Sequence, residues 1–304
     1  MSLKTDLRAD LILLLTAFIW GLAFVYQRSG MDHIGPVTFT FGRFLIGALA
    51  ILPLWYVMEK PKQIFAFNKV NRNAALLGLV LTSGMLLQQW GMVYTTAGRA
   101  GFLTGVYLVF VPLIGLFFRN KTEWPTWVGM SLALAGLYFM AQIEAEEIFT
   151  GDILVLISSL LFALHIIFTG MIANDASPFR LIFVQFTVAA VITGLLVPIF
   201  ETWDWQGIRG AMVALLYVGV LSSAVGFCLQ VVGQRTAPAS HTAIILSFES
   251  VFAAFCGWWL LDEYLTQTEF IGCGLILAGG LVSQLKVLLK QSSGEPIQHP
   301  HGVN

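Results

Sequence analysis

One carboxyl group lies in the middle of a long apolar stretch, where an acid is costly. Glu249 falls within residues 244–258, a run that otherwise holds almost only apolar and small residues. If this run crosses a bilayer as a helix, an ionised carboxylate there costs about 2.5–3.5 kcal/mol on insertion scales. Such a group faces a partner, a cavity or a bound solute rather than lipid. Glu249 is therefore the first candidate for solute binding or proton transfer.

Two further ionisable residues lie inside apolar runs. Arg43 follows Pro36 closely, and His165 lies on the polar face of a predicted helix. The pattern is compatible both with a buried Arg43–Glu249 ion pair that only holds the fold together and with a functional site. His165 titrates nearest to neutrality and could carry a proton, whereas a histidine that only donates to a backbone or side-chain group is the structural alternative.

The composition indicates a membrane protein. Of 304 residues, 57% are hydrophobic and only 11% are charged, against about 25% charged in soluble domains. The apolar residues form ten blocks of about the 20 residues that a spanning helix needs. These blocks lie near 9–27, 36–57, 74–95, 98–118, 124–142, 152–173, 178–199, 210–234, 239–261 and 267–289. We therefore predict an all-α membrane protein with ten transmembrane helices.

Basic residues are shared unequally between the two predicted sides of the membrane. If the amino terminus is cytoplasmic, the connections and ends on the inside hold twelve Lys and Arg residues, and those on the outside hold three. The three outside are Arg28, Arg99 and Arg209. Because basic loops stay in the cytoplasm, we expect both termini there.

The second half of the chain repeats the first. A shift of 142 positions aligns residues 10–97 with 152–239. Since five crossings are an odd number, the second copy enters the membrane from the opposite side, and inverted repeats of this kind are typical of secondary transporters. We predict repeats at 9–142 and 152–289 and a disordered cytoplasmic tail at 291–304. The shift pairs Pro36 with Pro178, Gln88 with Gln230, and Tyr107 with Glu249.

Polar and aromatic residues recur on one face of several predicted helices. Thr16 and Trp20 are four positions apart in the first span, and Phe162 and His165 lie on the equivalent face of the sixth. Helix packing through small and polar residues is the alternative explanation for these faces. We expect substrate to bind at Thr16, Trp20, Gln88, Tyr107, Phe162, His165, Gln230 and Glu249. The candidates for buried charge or coupling are Arg43, Glu249 and His165.

The sequence lacks the motifs expected for ATP coupling, for binding phosphorylated substrates and for a metal or enzyme site. No Walker A sequence is present, which argues against direct ATP coupling. Arg43 is the only cation that lies more than a few residues inside a predicted span, so phosphorylated substrates fit poorly. No Asp-rich, His-rich or Cys–His cluster indicates a metal site or an enzyme. We expect no cofactor, no metal and no nucleic-acid partner.

The chain resembles the EamA-type transporters of the drug/metabolite transporter superfamily over about residues 8–288. The stretches that carry the resemblance are Ala17-Phe18-Ile19-Trp20-Gly21, Gly42-Arg43-Phe44, Glu249-Ser250-Val251-Phe252-Ala253-Ala254, Asp262-Glu263, and residues 272–280. The family usually has a proline after the acid, where this chain has Ser250. The resemblance implies two inverted five-helix repeats in the inner membrane, with a cavity among helices 1, 3, 4, 6, 8 and 9. It also implies a carrier, commonly an exporter of amino acids, related metabolites or toxic compounds.

The expected function is secondary transport rather than enzymatic catalysis. We predict export of small neutral or zwitterionic metabolites such as amino acids, or of amphipathic toxic compounds, by alternating access. Glu249 and His165 are the candidates for exchanging an incoming proton for the outgoing solute. The expected partners are a small-molecule substrate, the lipid bilayer, protons and a second copy of the chain. The alternatives are a membrane-embedded enzyme acting on a lipid-like substrate and a passive channel.

Overall fold

The computed structural model describes residues 3–60, 68–95, 97–117, 124–140, 150–261 and 266–293, and every regular element in these ranges is a helix. In the first half the helices are α1 (Leu3–Met31), α2 (Pro36–Glu59), α3 (Lys69–Gly91), α4 (Ala97–Gly105), α5 (Tyr107–Phe117) and α6 (Trp124–Met140). In the second half they are α7 (Thr150–Ile172), α8 (Pro178–Phe200), α9 (Trp205–Gly210), α10 (Met212–Leu216), a π-helix (Tyr217–Val225), α11 (Gly226–Gln234), α12 (Ala239–Leu246), α13 (Phe248–Leu261) and α14 (Gln267–Ser293).

Eight of the ten predicted spans coincide with helices that are long and apolar enough to cross a membrane. The other two fall on α6, which has 17 residues, and on the short apolar part of α14, Gln267–Ser283. The prediction of an all-α membrane protein is confirmed, and the fifth and tenth crossings stay a prediction. Helix α14 extends to Ser293, three residues into the predicted tail. The rest of that tail, residues 61–67 and 141–149, and the pair Asp262-Glu263 lie outside the described residues.

Equivalent prolines begin the second helix of each half. Pro36 and Pro178 occupy the first turns of α2 and α8, where the missing N–H is not needed. The other free N–H groups are capped differently: Glu201 accepts from the N–H groups of Val37 and Thr38 at 2.7 and 2.8 Å, whereas Ser177 caps α8 itself. A carboxylate from the second half of the chain thus fixes the start of a helix in the first.

The two halves interleave rather than lie side by side. Helix α3 packs against α7 and α8, α1 packs against α13 and α11, and α2 packs against α8. Each helix that carries predicted site residues is therefore held in place mainly by helices of the other half. A space enclosed between these helices is necessarily built from both halves.

Helices α6 and α14 pack on each other through facing glycines. A Cβ atom on Gly136 would lie 2.5 Å from the carbonyl oxygen of Gly272, and one on Gly129 would lie 2.5 Å from that of Gly279. Backbones this close are typical of small-residue helix interfaces in membranes. These small residues thus pack within the chain, and the homodimer stays a prediction.

The glycine interface predicts a clear difference between two leucine substitutions. Gly136→Leu forces α6 away from α14, and we expect it to lower stability by about 1–3 kcal/mol, the usual cost of overpacking. Gly274→Leu lies on α14 where an added Cβ meets nothing within 4 Å, and it is the matched control. Thermal unfolding of both purified variants in detergent measures the difference. Equal unfolding temperatures would contradict the interface.

Two spanning segments are interrupted at places that differ by one position in the repeat. Val106 separates α4 from α5, and Ser247 separates α12 from α13. At both points a three-residue hydrogen bond appears, from Val106 N to Leu103 O at 3.3 Å and from Ser250 N to Ser247 O at 3.2 Å. A locally tightened turn inside a helix often marks a functional hinge. The second interruption forms although no proline follows Glu249.

Candidate functional site

A cavity lies between the helices that the two halves share. Its volume is about 50 Å³, which holds a few waters and is far below the roughly 300–1,000 Å³ of most small-molecule sites. A solute as large as an amino acid therefore requires the walls to move apart.

Seven of the eight predicted substrate-binding residues line this cavity, and so does Arg43. The seven are Trp20, Gln88, Tyr107, Phe162, His165, Gln230 and Glu249. Thr16 is fully buried but is not part of the lining, and its hydroxyl donates to Ile12 O within α1. The remaining wall, which the sequence did not single out as binding residues, consists of Ala23, Phe24, Gln27, Met85, Thr104, Ile166, Ser222 and Phe227.

The two interrupted helices meet at the cavity through one hydrogen bond. Tyr107 OH donates to Glu249 Oε1 at 3.0 Å. The two residues are partners in the sequence repeat, and each lies in the first turn after its interruption. Residues related by a twofold axis contact each other only where the axis passes between them. The Tyr107–Glu249 bond therefore joins the two halves at residues that the repeat pairs.

Arg43 and Glu249 bind different partners and do not form the ion pair that the sequence left open. Arg43 Nη1 donates to Gln27 Oε1 at 3.0 Å, and its Nε donates to Ser223 Oγ at 3.2 Å. The guanidinium carbon also lies 5.6 Å from the centre of the Phe44 ring. Ser223 belongs to the π-helix, an element found mainly at functional sites.

The remaining polar residues of the cavity differ in how well they are bonded. His165 Nε2 is 2.9 Å from Gln185 Oε1, and Gln88 Nε2 donates to Thr104 Oγ1 at 2.9 Å. Gln230 is only 1% exposed, yet neither its amide nitrogen nor its amide oxygen has a hydrogen-bond partner. A buried amide left unpaired costs about 1–3 kcal/mol, and a solute that moves the walls apart would give this amide a partner.

Aromatic rings close the cavity in equivalent places. A Cβ added to Gly226 would lie 2.6 Å from Trp20 Nε1, and one added to Gly84 would lie 3.0 Å from the Phe162 ring. Trp20 also donates to Ser222 O at 2.9 Å. Each ring thus lies over a glycine of the other half, and the centre of the Trp20 ring lies 4.9 Å from that of Phe227, with the two planes tilted by 51°. These contacts give the cavity an apolar wall suited to an amphipathic solute.

The geometry is that of a binding site. Across the part of the chain that the structure describes, no three His, Cys, Asp or Glu residues are grouped so that they could hold a metal ion. The cavity offers instead one cation, one carboxyl group, one imidazole and several amides between aromatic rings. Such an arrangement can hold a small polar solute by its charged or amide groups and by its apolar part.

A family model describes both halves of the chain. The EamA-like transporter family matches residues 7–142 and again 149–284. The paired match agrees with the internal repeat found in the sequence.

Similar proteins extend the same likeness over nearly the whole chain. A protein of Archaeoglobus fulgidus described as an uncharacterized transporter is 30% identical over 92% of this chain and 87% of its own length. The uncharacterized inner membrane transporter YedA of Escherichia coli is 26% identical over 85% of each chain. A crystal structure shares the fold with a TM-score of 0.77, at 15% identity, over 92% of this chain and 98% of the other.

Proposed function

The chain belongs to the EamA-like transporter family and is a multi-pass membrane transporter, and we propose that it is a secondary carrier that exports small neutral or zwitterionic metabolites. Amino acids and amphipathic toxic compounds are the expected solutes. The observation that carries the proposal is the narrow central cavity, which both halves build and which contains an unpaired, buried Gln230. A carrier needs a solute site of this kind near the middle of the membrane.

Alternating access follows from ten crossings arranged as two inverted five-helix repeats, 9–142 and 152–289. Contacts of equivalent acids support it: Asp10 Oδ1 lies 2.8 Å from His241 Nε2, and Thr95 Oγ1 donates to Asp152 Oδ1 at 2.6 Å. The two contacts lie near opposite ends of α1. Asp10 is near its start, and Thr95 lies close to its end, because the nearby Met92 carbonyl accepts a hydrogen bond from Arg28. The rise of a helix separates Asp10 from Arg28 by about 27 Å. In this mechanism the two contacts open in turn, one on each side.

Glu249 is the proposed coupling group for protons, because of how it is bonded. Its Oε1 accepts from the Tyr107 hydroxyl, and no basic side chain in the described ranges bonds to it. A carboxyl group held by a hydroxyl can take up and release a proton without breaking an ion pair. His165 is the second candidate, since it lines the same cavity and its Nε2 bonds to the neutral amide of Gln185.

Export is tested by accumulation in cells. Cells of one strain, with and without the protein, are loaded with labelled amino acids and amphipathic compounds, and the label retained is followed over time. We expect faster loss of one or a few of these solutes from cells that contain the protein. Equal retention of the entire panel, with the protein present in the membrane, would contradict export of this class.

Orientation in the inner membrane is a separate prediction. Both termini are expected in the cytoplasm, because twelve of the fifteen Lys and Arg residues other than Arg43 then lie on the inside. A periplasmic phosphatase fused after Asn304 should be inactive, and a fluorescent protein fused there should be fluorescent. The opposite pair of results would reverse the orientation and the assignment of inner and outer ends.

A further inference from the structure

Arg43 is a buried cation whose hydrogen-bond partners are all neutral. It is 2% exposed, and its guanidinium donates to the amide oxygen of Gln27 and the hydroxyl of Ser223. No carboxylate among the described residues bonds to it. Because arginine stays protonated in proteins, a fixed positive charge remains in the wall of the cavity. Ion pairing within the fold therefore does not explain this charge.

One nitrogen of the guanidinium has no hydrogen-bond partner among the described residues. Its third nitrogen, Nη2, bonds to no atom of the described residues, and it is not among the sealed polar atoms that lack a partner. Arg43 is part of the cavity lining. A guanidinium that uses Nε and Nη1 for the protein keeps its other N–H groups for a ligand, and arginine favours carboxylates through such donors.

Gln230 is the second, independent observation at this cavity. Its amide is 1% exposed and unbonded at both ends. Its Nε2 group is a donor and its Oε1 an acceptor, so it can bind either a carboxylate oxygen or an N–H group beside it. Gln230 lies in α11, seven residues beyond Ser223 or about 10 Å along the helix, and it lines the same cavity as Arg43.

We propose that Arg43 and Gln230 form an anion subsite that binds a single carboxylate group of the transported solute. One cation suits a single negative charge, and Trp20 and Phe227 supply the apolar wall for the rest of the molecule. The inference rests on the proposed function in one respect, that this cavity is where the solute binds. It gives Arg43 a direct role in recognition in addition to its contacts with α1 and the π-helix.

Matched ligand pairs test the subsite without any mutation. The purified protein is titrated with 4-methylpentanoate and its neutral analogue 4-methylpentanamide, and with 3-phenylpropanoate and 3-phenylpropanamide, at constant ionic strength. Binding is measured by calorimetry and by the shift in unfolding temperature. We expect each carboxylate to bind at least about tenfold more tightly than its amide. Equal binding within the pairs, or no binding of either carboxylate at its solubility limit, would overturn the proposal.

Variants then assign the preference to Arg43. Arg43→Gln should remove the preference for carboxylate over amide, Arg43→Lys should keep part of it, and Arg209→Gln, which removes an exposed positive charge from α9, should leave it unchanged. If Arg43 only braces the π-helix, Arg43→Gln lowers the unfolding temperature and keeps the preference. If Arg43→Gln does not fold, the preference for carboxylate over amide measured in Arg43→Lys and in the native protein still tests the proposal.

The outcome separates this inference from the transport proposal. If carboxylate binding depends on Arg43 but the protein exchanges no solute in liposomes, the anion subsite stands and the transport proposal is rejected. If the protein exchanges neutral solutes, and carboxylates are neither transported nor inhibit this exchange, the transport proposal stands and the anion subsite is rejected.

Discussion

Gln230→Leu is expected to lower the rate of solute transport by at least about tenfold, the equivalent of one hydrogen bond to the solute, without loss of stability. The amide is buried and unpaired in the cavity. Replacing an unsatisfied polar group by an apolar one of similar size is neutral or stabilising for the fold. Transport is measured as uptake into liposomes, and stability as the unfolding temperature in the same detergent extract.

Gln89 is the matched control, because it differs from Gln230 in position alone. It too is 1% exposed and unbonded at both ends of its amide, but it does not line the cavity. Gln89→Leu should therefore keep both stability and transport. If both leucine variants lose transport equally, or if Gln230→Leu unfolds at a clearly lower temperature, Gln230 serves packing rather than the solute.

Glu249→Gln is expected to remove the response to a pH gradient while solute-for-solute exchange persists. Glutamine is close in size to glutamate, and its Oε1 can still accept from the Tyr107 hydroxyl, so the contact between α5 and α13 remains. It has no carboxyl group to carry a proton. Liposomes loaded with a transported solute are subjected to an imposed pH gradient, and net solute movement is followed.

Three companion variants make the Glu249 result specific. His165→Gln tests the second proton candidate in the same way. Glu59→Gln removes an exposed acid at the end of α2 that accepts from Trp55 Nε1, and it should change nothing. Tyr107→Phe removes the hydroxyl but keeps the acid, so a pH response should remain. Gradient-driven accumulation by Glu249→Gln equal to that of the native chain would exclude Glu249 as the proton carrier.

Much of the fold could be predicted because the bilayer restricts the choices. Apolar blocks of about 20 residues allow few structures other than helices, and eight such blocks coincide with long apolar helices. The interruptions at Val106 and Ser247 have no such signal, since neither is a proline or a glycine. They follow from packing between the two halves. The π-helix at Tyr217–Val225 likewise gave no indication in the pattern of apolar residues.

The sequence predicted most of the residues that line the candidate site, but not the hydrogen bonds between them. Stripes of polar residues and the repeat singled out seven residues that line the cavity. Sequence spacing alone also selected Thr16, whose hydroxyl bonds to its own helix. The repeat paired Tyr107 with Glu249 without showing that they touch, because only the position of the twofold axis decides which equivalent residues meet.

For the charged residues too, the sequence predicted their positions but not their bonding partners. Arg43 and Glu249 lie at compatible depths in their predicted helices, so an ion pair between them was possible. In the structure each binds a neutral partner instead, Gln27 for Arg43 and Tyr107 for Glu249. Depth along a helix is readable from sequence, whereas the rotation of one helix against another is set by packing. The unpaired amide of Gln230 is a property of that packing as well.

Counterflow in liposomes tests the central claim most directly, that the shared cavity carries a solute from one side of the membrane to the other. Liposomes with purified protein are loaded with an unlabelled solute from the panel and diluted into a trace of the same solute carrying a label. We predict a transient accumulation of label above its external concentration in the native protein and in Gln89→Leu, and one that rises at least about tenfold more slowly in Gln230→Leu. Simple equilibration without overshoot for every solute that enters would contradict a carrier and indicate a channel.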